Sequence, residues 1–340
     1  MPSSATIRTD LAQTFRKSLR RGCESCQLRE GPILLAHSGG ADSMALMLGL
    51  LELREELKIT LIAAHLDHQL RGEESRQDAR WLRQECGRLD IPILIFEEDV
   101  AALARDHRKG IEETARKARY RFLDRAAEGH QCSRIAVAHS ADDQVETILH
   151  HLLRGTGLAG LRGMPWRRRL KSGVVLARPC LEISRAEVEA YLGAVGQEFR
   201  TDSSNTDLTL TRVRVRRILL PALERDFNPR VRQALLRLGR QTQEVQTTIE
   251  LAARAVLERA LIEKTETVCR LNCDEFVSQP DHLVRECLVL LWKQLDWPRQ
   301  RMGYAEWNRA VRLVRLGGRH TLPGNIDACR RGKLLILTRS

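Results

Sequence analysis

The stretch Ile33-Leu-Leu-Ala-His-Ser38-Gly39-Gly40-Ala41-Asp42-Ser43-Met-Ala-Leu46 reads as a short apolar strand, a tight Ser/Gly turn and the opening of a helix. Such a turn is an anion cradle. Gly39 and Gly40 let the backbone come close to an anion, and the amides that open the helix, from Ala41 on, face it with the positive end of the helix dipole. Ser38 and Ser43 add hydroxyl donors. Asp42 cannot bind phosphate directly, but it makes sense as the holder of the Mg²⁺ that accompanies nucleotide phosphates, because the ion reverses the local electrostatic logic. The lysine of G-x-x-x-x-G-K-[ST] is missing, so this loop does not supply machinery for cleavage at a γ-phosphate. The plain alternative is a glycine turn that only joins a strand to a helix.

Working outward, Ile33–His37, Ile59–Asp67, Ile91–Phe96 and Arg134–His139 are short β-rich runs, separated by helix-length amphipathic segments at 42–52, 74–89, 112–127 and 142–154. This alternation predicts an α/β domain, a doubly wound, Rossmann-like parallel sheet. Ser184 followed by Glu187 has capping-box spacing and predicts a helix to about Val195. Residues 228–260 have strong helical periodicity, and the last eighty residues read as a small mixed α+β region with strands at 319–322 and 333–337. The expected division is a catalytic domain over 1–225, including a basic segment at 165–225, and a helical and mixed C-terminal region over 226–340.

The 340 residues carry a net charge of +12. Residues 1–164 hold 24 basic and 24 acidic side chains, so all of the excess lies beyond Met164. A neutral first half and a basic second half suggest chemistry in one part and a grip on a polyanion in the other. No apolar run is long enough to span a membrane, and the first ten residues lack a secretory pattern, so the cytoplasm is the expected compartment. The nine cysteines make no disulfide framework, and Cys23-Glu-Ser-Cys26 lacks a second pair at zinc spacing, which favours packing over metal or redox work.

Further segments carry chemistry. His65-Leu-Asp-His68-Gln-Leu-Arg71 ends the second strand and Ala138-His139-Ser-Ala-Asp142-Asp143-Gln-Val-Glu146-Thr147 the fourth, where a doubly wound sheet places its ligands. Asp142 or Asp143 shares a helix face with Glu146, an acidic corner able to bind an ammonium group and accept its proton; a first turn satisfied by the helix dipole is the alternative. Arg116 and Arg119, three residues apart, could clamp phosphates. Arg212, Arg214, Arg216 and Arg217 are dense enough to suit a nucleic-acid backbone, against the alternative of a salt-bridged helix with few acids nearby. His65 and His68 lack a third ligand for zinc and are expected to line a nucleotide or nucleic-acid pocket.

Ser38-Gly39-Gly40-Ala41-Asp42-Ser43 resembles the pyrophosphate loop of the N-type ATP pyrophosphatases (PP-loop proteins), which adenylate a carbonyl oxygen and let a nitrogen or sulfur nucleophile displace AMP. With the segments above, Arg154-Gly-Thr-Gly157, Gly160-Leu-Arg-Gly-Met164, Asp202-Ser-Ser-Asn205 and the 212–221 stretch, the chain is similar in order and spacing to the tRNA isoleucine lysidine synthetases over about residues 33–223. The resemblance implies that ATP adenylates the oxygen on carbon 2 of the wobble cytidine of a CAU-anticodon isoleucine tRNA, after which the ε-amine of L-lysine displaces AMP. It implies Mg²⁺ on Asp42, ATP against residues 38–43 and His65, catalysis through Asp42, Asp143, Glu146, Arg116 and Arg119, and contacts to lysine or tRNA from Asp142, Asp143, Glu146, Arg154 and the four arginines at 212–217. Val213 and Ser140 depart from the family pattern, which usually has Asn and often His there. A tRNA cytidine thiolase, supported only by Cys23 and Cys26, a small-molecule amidating synthetase and a non-catalytic tRNA-binding protein are the rival readings. The sequence leaves the oligomeric state open, a homodimer included.

Overall fold

The computed structural model describes residues 4–108, 110–200 and 210–339 and divides into two compact units, Met1–Gly239 and Arg240–Ser340. In the first unit, strands β1 (Gly31–Ala36), β2 (Ile59–Asp67), β3 (Ile93–Glu97), β4 (Arg134–Ala136), β5 (Arg167–Arg169) and β6 (Val175–Ala177) form one six-stranded sheet in the order β3-β2-β1-β4-β6-β5. All pairings are parallel except β5 with β6. Because β1 lies between β2 and β4, successive connections leave it in opposite directions. The crevice at the carboxyl ends of β1 and β4 is therefore the switch point where such sheets bind ligands.

The alternation along β1 explains the two helical layers. Ile33 and Leu35 pack into one apolar cluster and Leu34 into another, as expected of a strand covered on both faces. The first face is covered by α1 (Ser4–Ser25), α2 (Ala41–Leu57), α3 (Glu73–Arg88) and α8 (Arg185–Val195). The second is covered by α4 (Val100–Asp106) and α5 (Ile111–Gly129). α1 is seated by a stack of Phe15 on Tyr191 of α8, with ring centroids 4.1 Å apart. It also lies tightly on α2, where a Cβ on Gly49 would come within 2.9 Å of the Phe15 ring.

Beyond β4, α6 (Ala141–Leu153) packs Val145 and Leu149 against Val215 and Leu220. These belong to a helical run made of α9 (Thr211–Arg214), a π-helical turn over Val215–Leu219 and α10 (Leu220–Asp226). The short α7 (Leu158–Leu161) follows α6, and α11 (Val231–Ala260) runs on into the second unit. There β7 (Leu261–Lys264), β8 (Val268–Asn272), β9 (Gly318–Leu322), β10 (Ile326–Arg331) and β11 (Leu334–Arg339) make an antiparallel sheet in the order β7-β8-β11-β10-β9. Helices α12 (Asp281–Gln294) and α13 (Tyr304–Leu316) share its core, centred on Trp292 with Trp297 and Trp307 edge-on to it.

The parallel sheet, the helical middle and the mixed C-terminal region all match the sequence reading, and the capping box of Ser184 with Glu187 is formed. The segment Asp202–Asn205 lies outside the described residues. Among the described residues no helix is long and apolar enough to cross a membrane.

Candidate active site at the switch point

The cradle is built where β1 hands over to α2. Gly39 has a φ of +85°, a conformation costly for any side chain, and this turns the chain so that Gly40 becomes the N-cap of α2. Gly40 offers no side chain to the helix, so the first-turn amides are left for an external acceptor. The starts of α6 and α8, in contrast, are closed by full capping boxes. The Ser43 hydroxyl turns back into the loop, donating to the Gly40 carbonyl at 2.9 Å and accepting the Ser38 amide at 3.3 Å. His37 Nδ1 is 2.9 Å from the same hydroxyl, and His65 Nδ1 lies 2.9 Å from the His37 carbonyl. Ser43, His37 and His65 are thus buried braces, whereas Ser38 is exposed. Arg200 holds the loop from outside: its amide donates to the Gly39 carbonyl at 3.0 Å, and its guanidinium binds the buried Asp78 at 2.7 Å.

Asp42 occupies the first turn of α2. One carboxylate oxygen receives Arg185 Nη1 at 2.6 Å, and the other is buried without a partner. Burial lifts the Asp42 carboxyl above its ordinary value, against the opposing pull of Arg185.

Across the crevice, at the end of β4, α6 presents Asp142, Asp143 and Glu146. Glu146 is fully buried and is held by two guanidinium groups: Arg212 Nε at 2.9 Å, and Arg216 through Nε and through Nη2 at 3.2 Å. Arg212 also donates to Asp143 at 2.8 Å. Asp142 faces elsewhere, accepting the Arg185 amide and Arg232 Nη1, each at 2.7 Å. The acids that partner Arg212 and Arg216 are therefore near in space and far in sequence. Arg214 and Arg217 are exposed.

Residues 7–223 match the PP-loop domain model. The tRNA(Ile)-lysidine synthase of Rhodopirellula baltica is 33% identical over 317 residues, covering 83% of this chain and 79% of that protein. The chain belongs to the tRNA(Ile)-lysidine synthase family. The family's enzyme from Geobacillus kaustophilus is 37% identical over 79% of this chain and 57% of its own length, and that from Geobacter sulfurreducens is 42% identical over 67% and 47%. The chain thus spans about half the length of several of the curated lysidine synthases it matches. Among solved structures, the U34-tRNA thiolase of Methanococcus maripaludis, described with its [4Fe-4S] cluster, superimposes with a TM-score of 0.57 at 16% identity. The superposition covers 69% of this chain and 80% of that one, a likeness of fold.

For a member of the lysidine synthase family, the departure at Ser140 has a structural reading. Ser140 is the N-cap of α6, and its hydroxyl and amide exchange hydrogen bonds with Asp143. Val213 is half-buried in α9. Arg119 reaches His68 Nε2 at 3.3 Å, and Arg116 lies 5.1 Å over the Tyr120 ring, which Arg168 also covers at 4.8 Å. Arg154 is the C-cap of α6, at the other end of that helix from the acids. Cys23, in the last turn of α1, and Cys26, just beyond it, are buried in the core, and burial pushes the Cys26 thiol up to about 11.

Arg185, Arg200 and Arg232 touch the loop or the acids and drew no notice in the sequence. Only the helix start at Ser184 hinted at Arg185, because nothing local links it to Asp42.

Proposed function

We propose that this lysidine synthase family member ligates L-lysine to carbon 2 of the wobble cytidine of a CAU-anticodon isoleucine tRNA, consuming ATP and releasing pyrophosphate and AMP. One observation carries the reading. An uncapped helix start suited to phosphate faces, across the switch point, a carboxylate pair that already holds two long cationic side chains. ATP needs the first and a lysine ammonium needs the second. The loop amides at 39–43 bind and orient the pyrophosphate as it leaves, stabilising charge that grows in the transition state. Asp143 and Glu146 hold lysine with its ε-amine toward the adenylated base and take its proton, since only the neutral amine attacks. Both must shed Arg212 and Arg216 to do so, and the freed guanidinium groups then serve the tRNA backbone.

The donor set also suits Mg²⁺. The unpartnered oxygen of Asp42 is a hard ligand at the mouth of the cradle. Among the described residues no cluster of three or more His, Cys, Asp and Glu could hold a metal, so the ion would take its remaining ligands from phosphate oxygens and water. When bound, it neutralises charge on the leaving pyrophosphate. In this reading Arg116 and Arg119 of α5 serve as further phosphate ligands.

The test is incubation of the purified protein with Mg·ATP, labelled lysine and a CAU-anticodon isoleucine tRNA transcript. Label entering tRNA only when ATP is present, and lost in Asp42→Asn, is the expected result. AMP formation without lysine incorporation would overturn the lysine assignment while sparing the adenylating fold.

A further inference from the structure

The second unit contains a groove of about 550 Å³ between α12 and α13 that the switch-point chemistry does not use. Its lining is cationic and aromatic. Arg285, Arg312, Arg315 and His282 converge on it beside Tyr304, whose surface is 73% exposed. The Arg285 guanidinium lies 5.0 Å over the Tyr304 ring, is oriented by Asn308 at 2.5 Å, and has a buried Nε without a partner. Arg315 is fixed by the carbonyls of Phe276 at 2.6 Å and Gln279 and by Asp281 at 3.0 Å, which also accounts for the acid on the rim. Arg312 is exposed with no acidic partner among the described residues.

We infer that this groove binds an unpaired nucleotide of RNA, with its base on the open face of Tyr304 and its phosphate between Arg312 and Arg285. An exposed aromatic ring backed by a guanidinium plane is a stacking platform, and stacking needs a base that is free of its helix. A duplex backbone would use the arginines and leave Tyr304 idle. The inference rests on the proposal that the protein acts on tRNA, and it adds a contact point in the second unit.

The protein and its Tyr304→Ala, Tyr304→Phe and Arg312→Ala variants should be titrated with a fluorescent CAU-anticodon isoleucine tRNA over a range of salt concentrations. Circular dichroism melts would confirm that each variant is folded. Tyr304→Ala should weaken binding by roughly 5- to 100-fold and Tyr304→Phe should not, since stacking needs the ring and not the hydroxyl. Arg312→Ala should lower the salt slope by about one, the mark of one lost phosphate contact. Unlabelled single-stranded RNA should compete at the groove better than duplex RNA of the same length or free AMP. Wild-type protein that binds no tRNA would sink the proposed function itself. Wild-type binding that is unchanged in Tyr304→Ala and Arg312→Ala would sink only the groove, as would competition by AMP equal to that by single-stranded RNA.

Discussion

Single residues decide what the crevice can hold. Asp42 combines a buried unpartnered oxygen with a hydrogen bond to Arg185, so Asp42→Asn keeps the shape of the site and removes its charge. Pyrophosphate release from ATP in the presence of tRNA should fall by roughly 100-fold or more, while the melting temperature moves little. Ser140 is legible in another way. The sequence marked it only as a departure from the family, yet it closes the start of α6. Ser140→Ala should cost about 1 kcal/mol, measured by urea unfolding, and should loosen Asp143, whose carboxylate accepts the Ser140 hydroxyl at 3.3 Å. The motif residues Ser38 to Ser43 were readable because a phosphate cradle is a local object. Arg185 and Arg200 were not, because each reaches the loop from a distant helix or segment.

At the scale of elements, the latch between α6 and the 211–226 run joins the acidic corner to the basic stretch. The sequence showed both halves but not their pairing, since Arg216 and Glu146 meet only after the chain has passed through β5, β6 and α8. The π-helical turn that begins at Val215 lies within this latch, in keeping with the habit of π turns to mark functional positions. Because Arg212 and Arg216 share one buried carboxylate, a double-mutant cycle of Arg212→Ala with Glu146→Gln should show a coupling of about 0.5–3 kcal/mol in unfolding free energy. An additive result would mean that the latch is ornamental. The same latch sets an expectation for substrate: lysine should bind more tightly to Arg216→Ala than to the wild type in calorimetry if the arginine must be displaced first. Among strands, β5 and β6 escaped the sequence reading because three-residue strands carry too little pattern to stand out from loops.

For the whole molecule, burial of histidines near the crevice makes stability depend on pH. Desolvation lowers His37 and His139 from 6.5 to about 3, and His68 to about 4. Above about pH 6.5 neither the folded nor the unfolded chain protonates them. As pH falls below that value the unfolded chain takes up protons that the folded chain refuses, so stability declines until about pH 3–4. Urea midpoints should therefore drop steadily between pH 6.5 and 4.5, and His37→Gln should flatten the slope by about one proton. The parallel sheet was legible in the strand and helix alternation, though its order β3-β2-β1-β4 was not, and the basic second half was plain from charge alone; the sheet of the second unit was only half visible, because β7, β8 and β10 are short strands interrupted by charged residues. The stack of Phe15 on Tyr191 has a consequence for the birth of the protein. During synthesis α1 can settle on α2 early, but α8 does not yet exist, so the ring face of Phe15 that Tyr191 covers waits open while most of the sheet is being made. A nascent chain stalled ahead of Tyr191 would carry that helix half-sheathed, a natural handle for chaperones and a site where unfinished copies stick together.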